Sequence, residues 1–178
     1  MKRQPALPRL WLISDARNDA RLEGALCALP RGSGFIFRHL HLPPAARRAR
    51  FAALARLART RGMVVVLAGT PAQARRWGAD GAYGAAGRLT RGGAGLRLAT
   101  AHSLRELAQA RAAGADAALL SPVYPTRSHP GAPALGPVLW RALAHQSPLP
   151  VIALGGMSAH RSRTLRCVRW AAIDGLSR

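Results

Sequence analysis

Cysteine is scarce in this chain of 178 residues, which contains only Cys27 and Cys167. So few cysteines cannot form a disulfide framework or a zinc site. Long apolar runs are also missing, since none approaches the roughly 20 residues that a membrane-spanning helix needs. The apolar stretch behind Lys2 and Arg3 is short and meets Asp15, so no signal peptide is expected. These absences predict a cytoplasmic protein with no membrane segment.

Acidic residues and lysine are few as well. Seven acids stand against 27 basic residues, of which Lys2 is the only lysine, and the formal net charge is +20. Such a charge is typical of nucleic-acid-binding proteins. The arginines are, however, spread along the chain, and alanine is equally overused, as biased genomic coding would produce. Nucleic acid is therefore kept only as an alternative partner, and the apolar fraction of 49% predicts a folded protein.

Short apolar runs alternate with helical stretches rich in alanine, arginine and leucine. Strand-like composition occurs in eight runs, at residues 10–15, 32–40, 63–69, 78–84, 96–100, 115–125, 150–156 and 169–174. Helical patterns fill residues 19–29, 44–61, 71–78, 102–113, 135–146 and 158–167. The run MVVVLAG at 63–69 has no polar alternation, which is expected of a parallel strand covered on both faces.

This alternation predicts an α/β fold, a compact (β/α)₈ TIM barrel that forms a single domain over residues 1–178. A doubly wound open sheet is the alternative, but no glycine-rich dinucleotide fingerprint follows the first strand. The chain is short for a barrel, which usually needs about 250 residues. Residues 85–95 have little apolar face, which predicts a degenerate fourth helix, and the sequence ends soon after strand eight, which predicts a missing final helix.

The missing final helix has a consequence for the outer wall of the predicted barrel. Without a covering helix, Leu10, Leu12 and Trp170 on strands one and eight are expected to be exposed. Large exposed apolar patches usually mark interfaces. A homodimer, or a partner chain that covers this gap, is therefore expected.

Candidate phosphate ligands lie where barrel enzymes carry their chemistry, at the carboxyl ends of the strands. Glycines at the end of strand seven let an anion approach the backbone at a helix start. The loop after strand six adds two hydroxyls and an arginine fork. The candidates are Thr126, Arg127, Ser128, Gly155, Gly156 and Ser158. Replacing Gly156 by Asp is expected to block the site and to preserve the fold, unless that glycine needs a positive φ.

Arg38 ends the second strand and faces the barrel interior, by alternation with Ile36. A cation that points into a barrel is costly without a partner, so Arg38 is expected to have a functional or ion-paired role, with Asp15 as the candidate partner. His39 and His41 share a strand face, but no third metal ligand is evident. They are interpreted as surface histidines.

Several motifs resemble those of the thiamine phosphate synthase/TenI family. SPVYPTRSHPGAPALG at 121–136 and PVIALGGM at 150–157 resemble its loops after strands six and seven. LWLISDAR, FIFRH and GADGAYG resemble its first, second and fourth strands, and the motifs follow the family's order over nearly the whole chain. The resemblance implies a barrel that binds a thiazole phosphate. The family's synthases join it to a pyrimidine pyrophosphate held by Mg²⁺, whereas TenI-type relatives isomerise a thiazole carboxylate phosphate.

The resemblance transfers the family's site residues only in part. The second-strand arginine is Arg38, but Ala68-Gly69-Thr70 replace the Asn-Asp-Asp that helps to hold Mg²⁺, and the second carboxylate position falls at Ala86–Arg88. Mg²⁺ is the cofactor that the family implies, yet no metal ligands are identified here. The loop lysine is His129, and the TenI-type catalytic histidine corresponds to Pro122. Arg38, His102 and His129 are therefore the candidate catalytic residues.

The function that follows from the resemblance is thiazole phosphate binding in thiamine biosynthesis. Coupling to a pyrimidine pyrophosphate follows only if the synthase activity is retained. One alternative is a non-catalytic or TenI-type member that has lost the Mg²⁺–pyrophosphate site. The other is an arginine-rich nucleic-acid-binding protein.

Overall fold

Eight parallel strands close into one barrel, and each strand pairs with its neighbours in sequence order. The structure is a computed structural model that describes residues 7–89, 95–128, 131 and 133–177. The strands are β1 (Leu10–Ile13), β2 (Gly34–Phe37), β3 (Val64–Ala68), β4 (Gly81–Ala85), β5 (Leu96–Ala101), β6 (Ala117–Leu120), β7 (Val151–Ala153) and β8 (Trp170–Ala172). The predicted (β/α)₈ barrel is confirmed.

Helices cover the outside of the barrel. The α-helices in the described residues are α1 (Leu22–Ala28), α2 (Pro44–Thr60), α3 (Pro71–Trp77), α4 (Leu104–Ala112), α5 (Gly136–Gln146) and α6 (Ala159–Leu165). A 3-10 helix, Ala16–Arg21, precedes α1 and takes up part of the first predicted helix. None of the helices in these described ranges combines the length and the apolar composition needed to cross a membrane.

The strands are shorter than the sequence predicts, and the ends show why. The predicted second strand, 32–40, ends at Phe37, because the backbone at His39 turns into the left-handed region with φ 41°. The predicted sixth strand, 115–125, ends at Leu120, two residues before Pro122, which lacks the N–H that a ladder requires. The polar residues that follow these strands therefore lie in loops at the mouth of the barrel.

Side chains alternate between a core inside the barrel and a core between the barrel and its helices. The inner core contains Trp11, Ile13, Ile36, Val66, Tyr83, Leu98, Leu119 and Ile152. The outer core contains Leu12, Phe35, Phe37, Leu67 and Leu120 with the apolar faces of the helices. Trp11 pairs with Gly34, where an added Cβ would lie 2.1 Å from the indole ring. The missing side chain makes room for a tryptophan in a narrow barrel.

The two reduced helical regions are short turns in the structure. Between β4 and β5, the described residues contain one helical segment, the 3-10 turn Ala86–Arg88. After β8, the described chain forms the 3-10 turn Asp174–Leu176. In the described residues, a short 3-10 turn therefore stands in each of the two regions where the sequence predicts a degenerate or missing helix.

The prediction that Leu12 is exposed on a bare barrel wall beside β8 is wrong, because Leu12 is 0% exposed. Leu10 and Trp170, the other two residues of that prediction, are half-buried. Leu176, in the turn after β8, packs against the same outer core as Leu12. The Arg21 guanidinium also donates to the Ser177 carbonyl, which ties this turn to the start of α1. The homodimer stays a prediction, but Leu12 gives it no support.

Candidate functional site at the barrel mouth

Arg38 follows β2 and lies above the inner core. Its charge acts on the buried Tyr83. Burial raises the pKa of Tyr83, and the positive charge of Arg38 partly offsets this increase. Nη1 of Arg38 lies 3.9 Å from Oδ2 of Asp15, which follows β1. The predicted Arg38–Asp15 pair is therefore present. It is longer than a hydrogen bond, so the guanidinium keeps hydrogen-bond donors for an anion.

Arg17 connects three loops of the mouth, and the sequence interpretation missed it. Its Nε donates to Asp15 Oδ1 over 2.9 Å, and its Nη2 donates to Ser128 Oγ over 2.8 Å. Its Nη1 lies 3.6 Å from Asp174 Oδ2, after β8. Its position just beyond the end of β1, as the last residue of the LWLISDAR motif, is the sequence signal that could have placed Arg17 at the mouth.

Asp15 is held in its ionised form between the two arginines. Burial raises the pKa of Asp15, but hydrogen bonds from Arg17 and the positive charges of Arg17 and Arg38 outweigh this effect, and the pKa is lowered. The same carboxylate caps the following 3-10 helix by accepting from the Arg17 backbone N–H. The mouth thus contains two guanidiniums arranged around one carboxylate.

The loop after β6 brings the predicted hydroxyls to this cluster. Thr126 Oγ1 accepts from the Ser128 backbone N–H over 3.2 Å, and Ser128 Oγ accepts from Arg17. Arg127, between them, is exposed. His129, a candidate catalytic residue, lies outside the described residues. Thr126 and Ser128 therefore share one side of the mouth with Asp15 and Arg17.

Gly155 and Gly156 form the turn after β7, with φ of 96° and 60°. The Gly155 carbonyl accepts from the Tyr124 backbone N–H, so this turn is bonded to the loop after β6. An added Cβ on Gly156 would lie 2.8 Å from the Pro125 carbonyl oxygen. The stated exception to fold tolerance of Gly156→Asp therefore applies, since the turn needs a glycine for both its backbone angle and its packing.

Ser158 begins α6 as predicted, because its side chain accepts from the Arg161 backbone N–H over 3.3 Å. The Arg161 guanidinium donates to the Gly156 carbonyl and lies 4.6 Å from the centre of the Tyr124 ring. Arg161 thus holds the loops after β6 and β7 together. Gly155 and Gly156 thus lie beside Tyr124 and Pro125, the residues that precede Thr126 in the loop after β6.

His102 follows β5 and also lies at the mouth. Its Nδ1 is 2.7 Å from the Ser121 carbonyl oxygen, and a carbonyl can only accept, so Nδ1 carries the proton. In the neutral ring the lone pair is then on Nε2. His102 is exposed, and it lies next to the Pro122 segment, where the resemblance places a TenI-type histidine.

His39 is buried, so its interpretation as a surface histidine is wrong. Only 1% of it is exposed, and its ring stacks on Phe37 with centroids 4.7 Å apart. Ser14 and Asp19 each contact one ring nitrogen over 2.8 Å. His41 is exposed, as expected. The positive φ at His39 turns this side chain back under the loop instead of along the strand.

The ends of β3 and β4 do not fit Mg²⁺. Ala68 ends β3, Gly69 and Thr70 follow it, and the turn after β4, Ala86–Arg88, ends in a cation. Mg²⁺ prefers carboxylate oxygens. The neighbouring cavity of about 310 Å³ includes Glu106, but this carboxylate accepts from the His102 backbone N–H. No cluster of three or more His, Cys, Asp or Glu side chains in the described part of the chain is arranged to hold a metal ion.

Comparison with known proteins agrees with this barrel and its loop motifs. The family model described as thiamine monophosphate synthase matches residues 10–176. The chain belongs to the thiamine monophosphate synthase family. A curated thiamine-phosphate synthase of Geobacillus thermodenitrificans (strain NG80-2) is 40% identical over 80 residues. That match covers 44% of this chain and 35% of the relative, about a third of its length.

Solved structures of the same family share the fold. The thiamine phosphate pyrophosphorylase of Pyrococcus furiosus superposes with a TM-score of 0.79 at 21% identity, covering 96% of this chain and 87% of the other. The corresponding protein of Bacteroides thetaiotaomicron gives a TM-score of 0.59 at 13% identity, covering 93% and 82%. Identities this low support the barrel alone.

Proposed function

We propose that the mouth of this barrel binds a thiazole phosphate, as expected of a thiamine monophosphate synthase family member. The observation that carries the proposal is the convergence of Arg17 and Arg38 on Asp15, with Ser128 hydrogen-bonded to Arg17. Guanidinium groups and hydroxyls are the donors that suit a phosphate. The cytoplasmic location that the scarce cysteines favour is part of this proposal.

Each side of the mouth has a separate task in this proposal. Arg38 donates to the phosphate from β2, and Arg127 reaches it from the exposed loop after β6. The left-handed turn at Gly155 and Gly156 brings backbone N–H groups near the anion. Asp15 competes with the phosphate for Arg38, and the 3.9 Å separation makes that competition weak.

The coupling reaction of the family is a separate question from binding. The family's reaction needs the charge of the departing pyrophosphate to be neutralised, and the ends of β3 and β4 do not fit the metal that would do so. Two arginines near the mouth, Arg88 and Arg127, are the cations that this chain offers in its place.

A second candidate is a member of the family that binds the phosphate but does not couple it. The carboxylate-free ends of β3 and β4 favour this candidate. His102, with Nδ1 bonded to the Ser121 carbonyl, is then the base available at the mouth for a TenI-type proton transfer.

An activity assay separates these two candidates. Purified protein is incubated with thiazole phosphate and pyrimidine pyrophosphate, with and without Mg²⁺, and thiamine phosphate is measured. Product formation that does not depend on Mg²⁺ supports coupling assisted by arginine. Absence of product, together with binding of thiazole phosphate, supports the second candidate. Product that forms only with Mg²⁺ would contradict the conclusion that the ends of β3 and β4 do not fit this metal.

Binding is tested by calorimetry with thiazole phosphate. Arg38→Ala and Arg127→Ala should each weaken binding by about 1.5–3 kcal/mol, the range for hydrogen bonds to charged groups. Arg76→Ala is the matched control, because Arg76 is exposed in the last turn of α3, away from the mouth. If wild-type protein binds no thiazole phosphate, or if both variants bind like the control, the proposed site is wrong.

A further inference from the structure

The His39 ring has a defined protonation pattern. Asp19 is ionised, because hydrogen bonds from His39 and Arg50 outweigh the effect of burial and lower its pKa. A carboxylate only accepts, so Nε2 of His39 must donate to Asp19 Oδ1. Burial lowers the pKa of His39 despite the nearby Asp19, which favours the neutral ring. Nδ1 is then an acceptor, and the Ser14 hydroxyl donates to it over 2.8 Å.

Ser14 connects His39 to the backbone of Arg38. Its Oγ accepts from the Arg38 backbone N–H over 2.8 Å. Ser14 is 0% exposed, so its hydroxyl is closed to any substrate, and the Ser14–His39–Asp19 arrangement is not a hydrolytic triad. The three side chains instead form a relay from the 3-10 helix after β1 to the peptide group that follows β2, in which Ser14 and His39 are buried and Asp19 is partly exposed.

The carbonyl of Arg38 is held from the other side. Nε of Arg47, on α2, donates to the Arg38 carbonyl over 2.8 Å, and Nη2 donates to the Ala68 carbonyl over 2.7 Å. The Arg47 guanidinium lies between the rings of Phe37 and Trp77, at 5.8 and 5.2 Å from their centres. Buried side chains therefore fix both the N–H and the C=O of Arg38.

The outer end of the relay is also anchored. The Arg50 guanidinium, on α2, lies 2.8 Å from Asp19 Oδ1 and also pairs with Glu23 on α1. Asp19 Oδ1 therefore accepts from two side chains, those of His39 and Arg50. The relay thus links the loops after β1 and β2 through side-chain hydrogen bonds.

We propose that Ser14, His39 and Asp19 are positioning residues that hold the backbone of Arg38, and so aim its guanidinium at an anion in the mouth. This inference rests on the proposed function, in which Arg38 binds a phosphate. A shift of about 1 Å in a binding group is enough to weaken the contact strongly. The relay therefore acts on affinity through Arg38, without touching the ligand.

The first test measures the protonation state of the His39 ring. Long-range ¹H–¹⁵N correlation spectra of the histidine rings report which nitrogen of His39 carries the proton. The expected result is a neutral ring protonated at Nε2 at neutral pH. A ring protonated at Nδ1, or a fully protonated ring, overturns the relay, and this reading does not depend on whether any ligand binds.

The second test measures affinity with thiazole phosphate as the probe, by calorimetry well below the unfolding temperature. Ser14→Ala and His39→Phe should each lower the affinity about tenfold, and neither should lower it further in an Arg38→Ala background. His39→Phe keeps a ring for stacking on Phe37 and removes both nitrogens. His39→Asn tolerates the positive φ and keeps an acceptor for Ser14, so it should recover most of the affinity.

The outcomes separate the two proposals. The His145→Asn variant is the control, since His145 is an exposed histidine at the end of α5, and this variant should bind thiazole phosphate like the wild type. If Arg38→Ala binds thiazole phosphate like the wild type, the role that the proposed function gives to Arg38 fails. If Arg38→Ala loses affinity while Ser14→Ala and His39→Phe bind normally, the relay alone is wrong. Full additivity with Arg38→Ala also overturns it.

Discussion

Gly156 is a residue whose substitution should affect the fold before it affects the ligand. Its φ of 60° costs an ordinary L-residue about 1–2 kcal/mol. A new Cβ would also approach the Pro125 carbonyl to 2.8 Å. We expect Gly156→Ala and Gly156→Asp to lower the free energy of unfolding by at least about 1–2 kcal/mol, measured by urea denaturation.

Gly24 supplies the comparison for that experiment. It lies in α1, and an added Cβ would meet nothing within 4 Å. Gly24→Ala should stabilise the protein by about 0.5–1 kcal/mol, because alanine restricts the unfolded chain and suits a helix. Equal stability of the Gly156 variants and the wild type would contradict the packing described for the β7 turn.

At the scale of secondary-structure elements, Arg47 on α2 links the ends of two neighbouring strands, β2 and β3. It is 7% exposed, and it supplies hydrogen bonds to carbonyls after β2 and at the end of β3. Burial lowers its pKa, but the two carbonyls and two aromatic rings around it are suited to a guanidinium. Removing it leaves buried acceptors without a donor.

We therefore expect Arg47→Leu to be strongly destabilising. Each buried acceptor left unpaired costs about 1–3 kcal/mol, and Arg47 serves two of them. Arg48→Leu is the matched control, because Arg48 is exposed on the same helix. Thermal and urea unfolding of both variants measure the difference. Similar stabilities of the two variants would show that the Arg47 hydrogen bonds contribute little.

The loops after β1 and β2 should respond to pH in two separate ranges. The pKa of His39 is below its ordinary value of 6.5, because burial outweighs the attraction of Asp19, while His41 and Arg50 act in the same direction as burial. As the pH falls below 6.5, the unfolded chain binds a proton before folded His39 does, and the free energy of unfolding decreases. The decrease ends at the lower pKa of folded His39.

Three carboxylates near these loops affect the free energy of unfolding at more acidic pH. The pKa values of Asp15, Asp19 and Glu23 lie below their ordinary values of 3.8, 3.8 and 4.5, so their stabilisation is lost as the pH falls from those values. Urea unfolding from neutral to acidic pH should show both steps. His39→Asn should remove the first step and keep the second. A first step of unchanged size in that variant would assign it to another group.

The net charge of +20 acts at the scale of the whole molecule. Arginines occur on the exposed faces of most helices, so the protein should attract any polyanion at low salt. We expect binding to DNA or RNA to be weak, independent of sequence and largely lost by about 0.2 M salt. Fluorescence anisotropy with labelled duplex DNA and single-stranded RNA measures this. Tight binding that persists at that salt concentration would favour the nucleic-acid alternative.

The sequence alone was enough to predict the barrel. Apolar periodicity and turn residues are local features, and eight strand-like runs without a dinucleotide fingerprint favour a closed barrel over a doubly wound open sheet. The same local features place Arg38, His102, Ser128 and Gly155 at the carboxyl ends of strands, and therefore at one mouth. Family motifs such as SPVYPT and ALGG point to the same loops.

Only the tertiary structure decided which of these side chains meet and which are buried. Arg17 and Ser128 are 111 residues apart, and their hydrogen bond depends on how two loops cross the mouth. His39 is buried because a left-handed backbone turn places it between Ser14 and Asp19, and no strand periodicity encodes that turn. Local patterns fix which face a strand shows to the core. The burial and pairing of polar side chains depend on contacts between distant loops, which form only when the barrel closes.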